Sequence, residues 1–242
     1  MKNHSAQENY WISLSDMMTG LMVIFMFIAI SYIVQIKNKQ QERDQILEDF
    51  KNNKVSLYLD LKAEFEEDFK ETKWNAVLDE DLSIKFLNEQ VLFEFDETEI
   101  KPEFEEILDD FFPRYLRILL SDKYIDKIAE VRIEGHTDSR GDYIYNVFLS
   151  QSRTANVLKY LLYGENSVYD SLPQAERDLV RFWLTANGYS FGRTLDDNQK
   201  FTLESGGVEN REKSRRVEFR IITKSDEVIR QILKKMEEDG TI

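Results

Sequence analysis

The stretch IEGHTDSRGDYIYNVFLSQSRTANVLKYL, Ile133 to Leu161, decides how the C-terminal part of the chain is read. Together with the preceding Ile128–Arg132 it starts as an extended, β-prone run, IAEVRIEGHTD, which reads as a strand. Asp138, which ends this run, suits the cap of a turn. From about Leu149, LSQSRTANVLKYLL spaces its apolar residues for one face of a helix. The order is therefore strand, turn, helix, with an acid, Asp138, at the strand end and a guanidinium, Arg153, on the helix. Each of these two has an ordinary reading by itself, Asp138 as a turn residue and Arg153 as a helix surface residue.

Working outward, DLSIKFLNEQVLFEFDETEIKP offers two strand-like runs, Leu82 to Leu87 and Val91 to Phe95. Pro102 then suits the first turn of a helix running to Leu120. Downstream, RRVEFRIITK reads as a closing strand. Between Tyr163 and Glu209 lie a helix-like PQAERDLVRFWLTANG and a polar loop. This alternation predicts an α+β domain over residues 81–242. Before it, residues 37–80 carry no Pro or Gly and place Leu57, Leu61, Phe65 and Phe69 at every fourth position, which predicts an amphipathic linker helix. That stripe suits either a solvated spacer with a narrow packing face or a short helix pair across a homodimer seam, since an isolated helix gains little from it in water.

Residues 12–36 contain a single formal charge, Asp16, and as a helix would reach roughly 37 Å, enough to span a bilayer. The run is too long for a cleaved signal peptide and continues into charged sequence, so it reads as an uncleaved anchor after a short arm, residues 1–11. Lys37, Lys39 and Arg43 outnumber Lys2, which on charge alone would favour a cytoplasmic C-terminal part. An acid at membrane depth costs ~3 kcal/mol on insertion scales and so marks an ion path, unless it reaches the interface or caps the helix after Ser15.

Over its 242 residues the chain has a net charge of −14 and 42% hydrophobic residues. The acidity argues against direct nucleic-acid binding, which needs clustered Lys and Arg. There is no cysteine, and His4 and His136 are far apart, so neither disulfides nor a thiolate or paired-histidine metal centre is expected. No cofactor is expected either. With no nucleophile, zinc triad or placed carboxylate pair, the chain does not read as an enzyme.

The pattern Gly135, Thr137, Asp138, Gly141, Asn146, Leu149, Ser150 and Arg153, ending in SRRVEF at Ser214–Phe219, resembles the OmpA-like peptidoglycan-binding domain. The resemblance implies that Asp138 and Arg153 clasp the diaminopimelate of the wall's stem peptide, with Thr137, Gly141, Tyr145, Asn146 and Leu149 in the same site. A ligand with an ammonium and a carboxylate on one carbon suits an opposed acid and a bidentate Arg fork. FEFDETEIKP, Phe93 to Pro102, is similar to the family's opening segment and implies Phe93 and Asp96, with Arg216, at the cleft border. His136 is then expected as a wall residue of the cleft.

YWISLSDMMTGLMVIFMFIAI is similar to the membrane segment of MotB-type stator subunits, through Trp11, Ser15, Asp16, Met18 and Thr19. That implies Asp16 as the ion-translocating group, with Ser13, Ser15 and Thr19 beside the ion path; either H+ or Na+ fits. The short arm, the wording around Gly20 and the form YNVFLSQSR most resemble the ZorB family of the Zorya anti-phage defence system. The resemblance implies a homodimer inside a ring of five multi-span ZorA-like subunits, at the bacterial inner membrane with the N-terminus cytoplasmic and the C-terminal domain periplasmic. The wall is then the anchor, the ion gradient the drive, and other Zorya proteins are engaged indirectly. A flagellar stator subunit and a passive wall anchor are the alternatives of similar construction.

Overall fold

The computed structural model describes residues 4–87 and 89–226, including all side chains among them except those of 4–13, 49–50 and 89–90. It separates into two units, Met1–Phe50 and Lys51–Ile242. The first unit is the N-terminal part of helix α1 (His4–Phe65). Large apolar side chains such as Met17, Met22, Phe25 and Phe27 are each more than half exposed along it. A helix that is apolar all round is built for a nonpolar surrounding, and this one is long and apolar enough to cross a membrane.

The second unit is an α+β domain around a five-stranded sheet in the order β1-β2-β5-β3-β4. Its strands are β1 (Ala76–Leu78), β2 (Ser83–Phe86), β3 (Ile128–His136), β4 (Leu184–Gly188) and β5 (Arg216–Thr223). Only β3 and β4 pair in parallel; the other neighbours are antiparallel. Around the sheet lie α2 (Glu89–Leu92), α3 (Pro102–Leu119), α4 (Tyr143–Tyr163), α5 (Gln174–Trp183), and the single turns α6 (Thr202–Ser205) and α7 (Arg211–Ser214). Helix α3 starts with Pro at N1 and Glu103 and Glu105 in its first turn, where a missing N–H costs nothing and negative charge meets the helix dipole.

Four expectations change. The run Val91–Phe95 is no strand: Val91 and Leu92 complete α2, and Phe93 makes one isolated bridge to Ile100. A short apolar run cannot be told from a buried helical turn by periodicity, and Leu92 and Phe93 bury in the core instead of extending the sheet. Helix α4 begins at Tyr143, not Leu149, because the Asp142 carboxylate caps it by accepting from the Tyr145 N–H at 3.0 Å. The helix-like PQAERDLVRFWLTANG splits into α5 and β4, and β1 is a strand too short to announce itself. Helical structure after the membrane-type segment stops at Phe65, and Leu57, Leu61 and Phe65 are 1%, 0% and 0% exposed within the domain's own core.

The stripe is therefore covered by its own chain and does not form a dimer seam. The Phe65 ring lies 5.4 Å from Phe111 of α3 and 5.9 Å from Trp74. The Arg114 guanidinium stacks 4.7 Å over Phe65, and donates to the Glu64 carboxylate and backbone carbonyl and to Asp68. Tyr124 donates to Asp60 at 2.7 Å, one turn earlier on the helix. Apolar knobs are thus flanked by charged hydrogen bonds that fix the helix's rotation.

The inner strands carry a buried charged cluster. Glu134 and His136 of β3 face Arg216, Glu218 and Arg220 of β5, with Arg193 and Lys85 adjoining. Glu218 accepts from Arg216, from Arg220 at 3.0 Å and from Ser83 at 2.7 Å. Glu134, His136 and Glu218 bring ligand-type atoms within 4.8 Å of one another. The two carboxylates are already compensated by Arg193, Arg216 and Arg220, so a cation entering there would meet guanidiniums and no surplus negative charge. Burial, reinforced by Arg216, pushes the His136 imidazole down to about 4 against the pull of both glutamates.

Two expectations follow from this packing. Phe65→Ala should cost ~3–5 kcal/mol in chemical unfolding, whereas Leu59→Ala, at a position 55% exposed, should cost little; equal effects would mean that the stripe is not core. In acid, unfolded His136 takes up a proton near pH 6.5 that the folded protein refuses until about 4. Stability should fall as pH drops through that window, by at most ~3 kcal/mol. The loss of the depressed Glu134 and Glu218 carboxylates adds to it only below their ordinary range. His136→Asn should flatten the pH 6.5 to 4.5 slope of the unfolding free energy; an unchanged slope would remove His136 as its source.

Candidate functional site

Three pieces of chain converge where β3 ends. The turn after β3 carries Thr137 and Asp138, and the Thr137 N–H donates to the Ser190 carbonyl at 3.0 Å, continuing the β3–β4 pairing by one step. Gly141 closes the turn with φ +87°, a conformation that favours glycine. Asn146 on the first turn of α4 then donates to the Arg140 and Asp142 carbonyls at 2.8 and 2.9 Å, tying turn and helix together.

The second piece is the segment after α2. Asp96 sits in the left-handed region at φ +62° and accepts from the Tyr145 hydroxyl at 2.6 Å. A strained backbone held by specific contacts is a feature that functional loops share. Arg153, 8% exposed, holds the same loop: Nε donates to the Glu97 carbonyl at 2.8 Å and Nη2 to the Glu94 carbonyl at 3.1 Å, with the Phe93 ring 4.7 Å beneath the guanidinium. The third piece is Arg215, at the entry to β5.

Together these enclose a cleft of about 270 Å³. It brings together Asp96, Thr137, Asp138, Gly141, Tyr145, Asn146, Leu149 and Arg153, all expected from the sequence. Phe93 and Arg216 sit behind it, 5% and 2% exposed, where with His136 they line a smaller hollow. His136 stacks on Tyr189 with ring centroids 5.2 Å apart and does not line the larger cleft. Sequence reasoning missed Phe95, Arg140 and Arg215 among its lining residues. Successive residues entering a strand point to opposite faces, so of the pair in SRRVEF it is Arg215 that reaches the cleft, while Arg216 turns into the buried cluster. It also missed Glu209, whose carboxylate accepts from the Ser139 N–H at 3.0 Å and from the Ser139 hydroxyl, pinning the turn from far along the chain.

The Asp138 carboxylate, 4% exposed, is the electrostatic centre. Oδ1 accepts from the Arg140 backbone N–H at 2.9 Å and from Arg140 Nε at 3.1 Å; Oδ2 accepts from Arg140 Nη2 at 2.7 Å and from Arg215 Nη1. Burial pushes this carboxyl up, but the hydrogen bonds from Arg140 and Arg215 outweigh burial and hold it down at about 2. It is an anion at every physiological pH. A permanently charged acid beside arginines can receive a zwitterion, and the arrangement offers no activated nucleophile for bond-making chemistry.

In the N-terminal unit, Asp16 is exposed on α1, and the Thr19 hydroxyl donates to the Ser15 carbonyl at 2.8 Å. Asp16 shares a helix face with Thr19 and Gly20 by i, i+3 and i+4 spacing. The Ser13 side chain lies outside the described residues.

The OmpA family matches residues 92–177. A Zorya protein ZorB of Escherichia coli (strain ATCC 8739) is 38% identical over 238 residues, covering 94% of each chain. A second Zorya protein ZorB, from Escherichia coli O139:H28 (strain E24377A), is 27% identical over 221 residues, covering 91% of this chain and 82% of its own. Among solved structures, a MotB-like protein from Desulfovibrio vulgaris aligns with a TM-score of 0.45 at 22% identity, over 71% of this chain and 94% of its own. With near-complete coverage at 38% identity, the chain belongs to the ZorB family of Zorya proteins, with an OmpA domain in its C-terminal unit.

Proposed function

We propose that the chain is a wall-anchored, ion-coupled membrane subunit of a Zorya-type anti-phage motor. In this reading α1 crosses the inner membrane once from a cytoplasmic N-terminus, the OmpA-type domain is periplasmic, and its cleft grips peptidoglycan. The observation that carries the reading is that Asp138 and Arg153, a permanent carboxylate and a guanidinium from separate elements, line one cleft. The ligand it suits is the diaminopimelate of the stem peptide, whose side-chain ammonium and carboxylate match the two charges. Two copies, each presenting one Asp16, act inside a ring of five ZorA-like subunits, and Asp16 carries H+ or Na+. A voltage of ~100 mV does ~2.3 kcal/mol of work on each charge that crosses.

Wall binding and ion coupling are separable by mutation. Asp138→Ala and Arg153→Ala should each lower retention of the detergent-solubilised protein on purified sacculi by more than tenfold, since removing one partner of a charge-assisted contact costs ~2 kcal/mol or more. Wild-type retention of both variants would refute the wall site. Asp16→Asn keeps size and hydrogen-bonding capacity but removes the titratable group. It should leave protein level and assembly intact and abolish protection in an efficiency-of-plating assay. Full protection by the Asn variant would leave a passive wall anchor as the better reading.

A further inference from the structure

Asp138 has no acceptor position to spare. A carboxylate offers about four lone-pair sites. Here four N–H groups take them: the Arg140 backbone N–H, Arg140 Nε and Nη2, and Arg215 Nη1. A ligand ammonium cannot bond to this carboxylate until one donor leaves. The backbone N–H is fixed by the turn, and the Arg215 side chain is only 15% exposed. The Arg140 side chain is 51% exposed and hangs from a residue whose backbone stays in place without it. Glu209 clamps the neighbouring Ser139 through its N–H and hydroxyl, and Asn146 holds the Arg140 carbonyl.

We propose that Arg140 is a tethered competitor: its guanidinium occupies the cationic subsite of the cleft in the unliganded protein, and an incoming ammonium binds by displacing it. This rests on the wall-binding reading of the same cleft. The displaced guanidinium stays on the protein, so every weak cation that meets Asp138 competes with a local partner at high effective concentration. Only a ligand that also engages the rest of the cleft overcomes it. Arg140 thereby sets specificity by raising the threshold for binding. Apparent affinity is the intrinsic affinity multiplied by the fraction of molecules with the latch open, so a latch closed in most molecules weakens binding by about three- to tenfold.

The test is calorimetric titration of the full-length protein in detergent with meso-diaminopimelate. Arg140→Ala and Arg140→Gln should both bind about three- to tenfold more tightly than wild type. The Asp138 carboxyl, followed by carbon NMR, should titrate above its wild-type value of about 2 in both. Unchanged or weaker binding by both variants would overturn the latch, weaker binding marking Arg140 as a direct ligand contact. Asp138→Ala separates this from the underlying reading. If it binds like wild type, the wall site itself is wrong. If it fails to bind while Arg140→Ala shows no gain, only the latch is wrong. Circular dichroism of each variant, with the Ser139 amide resonance as a marker of the turn, confirms that the fold is retained.

Discussion

The close approach of α4 to the parallel pair β3–β4 is the constraint on which the domain's geometry depends. Gly135 and Gly188 are register partners on these strands. A Cβ on Gly135 would stand 2.7 Å from the Ser150 backbone carbonyl oxygen, and one on Gly188 would stand 2.4 Å from the Gln151 backbone nitrogen. The missing side chains let the helix backbone rest almost on the sheet. The contact is then closed by hydrogen bonds: Gln151 accepts from the Gly188 N–H at 2.8 Å, and the Ser150 hydroxyl accepts from the Ser190 N–H at 3.1 Å. Because α4 is fixed there, the residues on either side of the contact are fixed as well. Asn146 lies one turn before Ser150 and reaches the Asp138 turn, while Arg153 lies just beyond it and reaches the Phe93–Ile100 segment.

That arrangement explains how a loop-built cleft can be well ordered. Neither wall is a free loop. One is tied to α4 by Asn146 and to the β4–β5 connection by Glu209, the other by Tyr145, Arg153 and the Asn156 amide, which donates to the Thr98 carbonyl at 2.8 Å. Arg153 accordingly has a structural duty as well as a place in the cleft. The buried cluster behind the cleft adds stiffness of another kind. Its acids and guanidiniums are paired in charge within β5 and, through Arg220 and Glu134, across to β3, so the strand ends that carry Thr137 and Arg215 cannot slip in register without leaving buried charge unpaired.

Much of this was legible in the sequence because the signals were local. A single acid in a largely apolar run of 25 residues, a strand–turn–helix around Asp138, Pro at the start of α3 and the closing strand all rest on patterns within a few residues. The cleft's lining came from the resemblance of the segment Thr137 to Arg153 to the OmpA-like pattern; composition and periodicity alone left Asp138 and Arg153 with their ordinary readings as a turn residue and a helix surface residue. What was misread had no local signature. Val91–Phe95 is apolar enough for either state, and only its burial beside α3 decided for a helical turn. LTANG follows helix-like sequence and becomes a strand because β3 offers an open edge and its glycine admits α4.

The sequence by itself determined the apolar N-terminal segment with its lone acid and the order of the domain's main elements, while the pairing of Asp138 with Arg153 in one cleft was an expectation from family resemblance. Hydrophobic periodicity, turn chemistry and formal charge all act within a few residues. Tertiary structure decided the rest. It turned the Leu57–Phe65 stripe inward onto Phe111, where the sequence showed only an apolar face in need of cover. It also chose Arg215 over Arg216 for the cleft, brought Glu209 across to Ser139, and saturated Asp138 with its own arginines. Those outcomes depend on which surfaces meet across long stretches of chain, and no spacing within a segment encodes them.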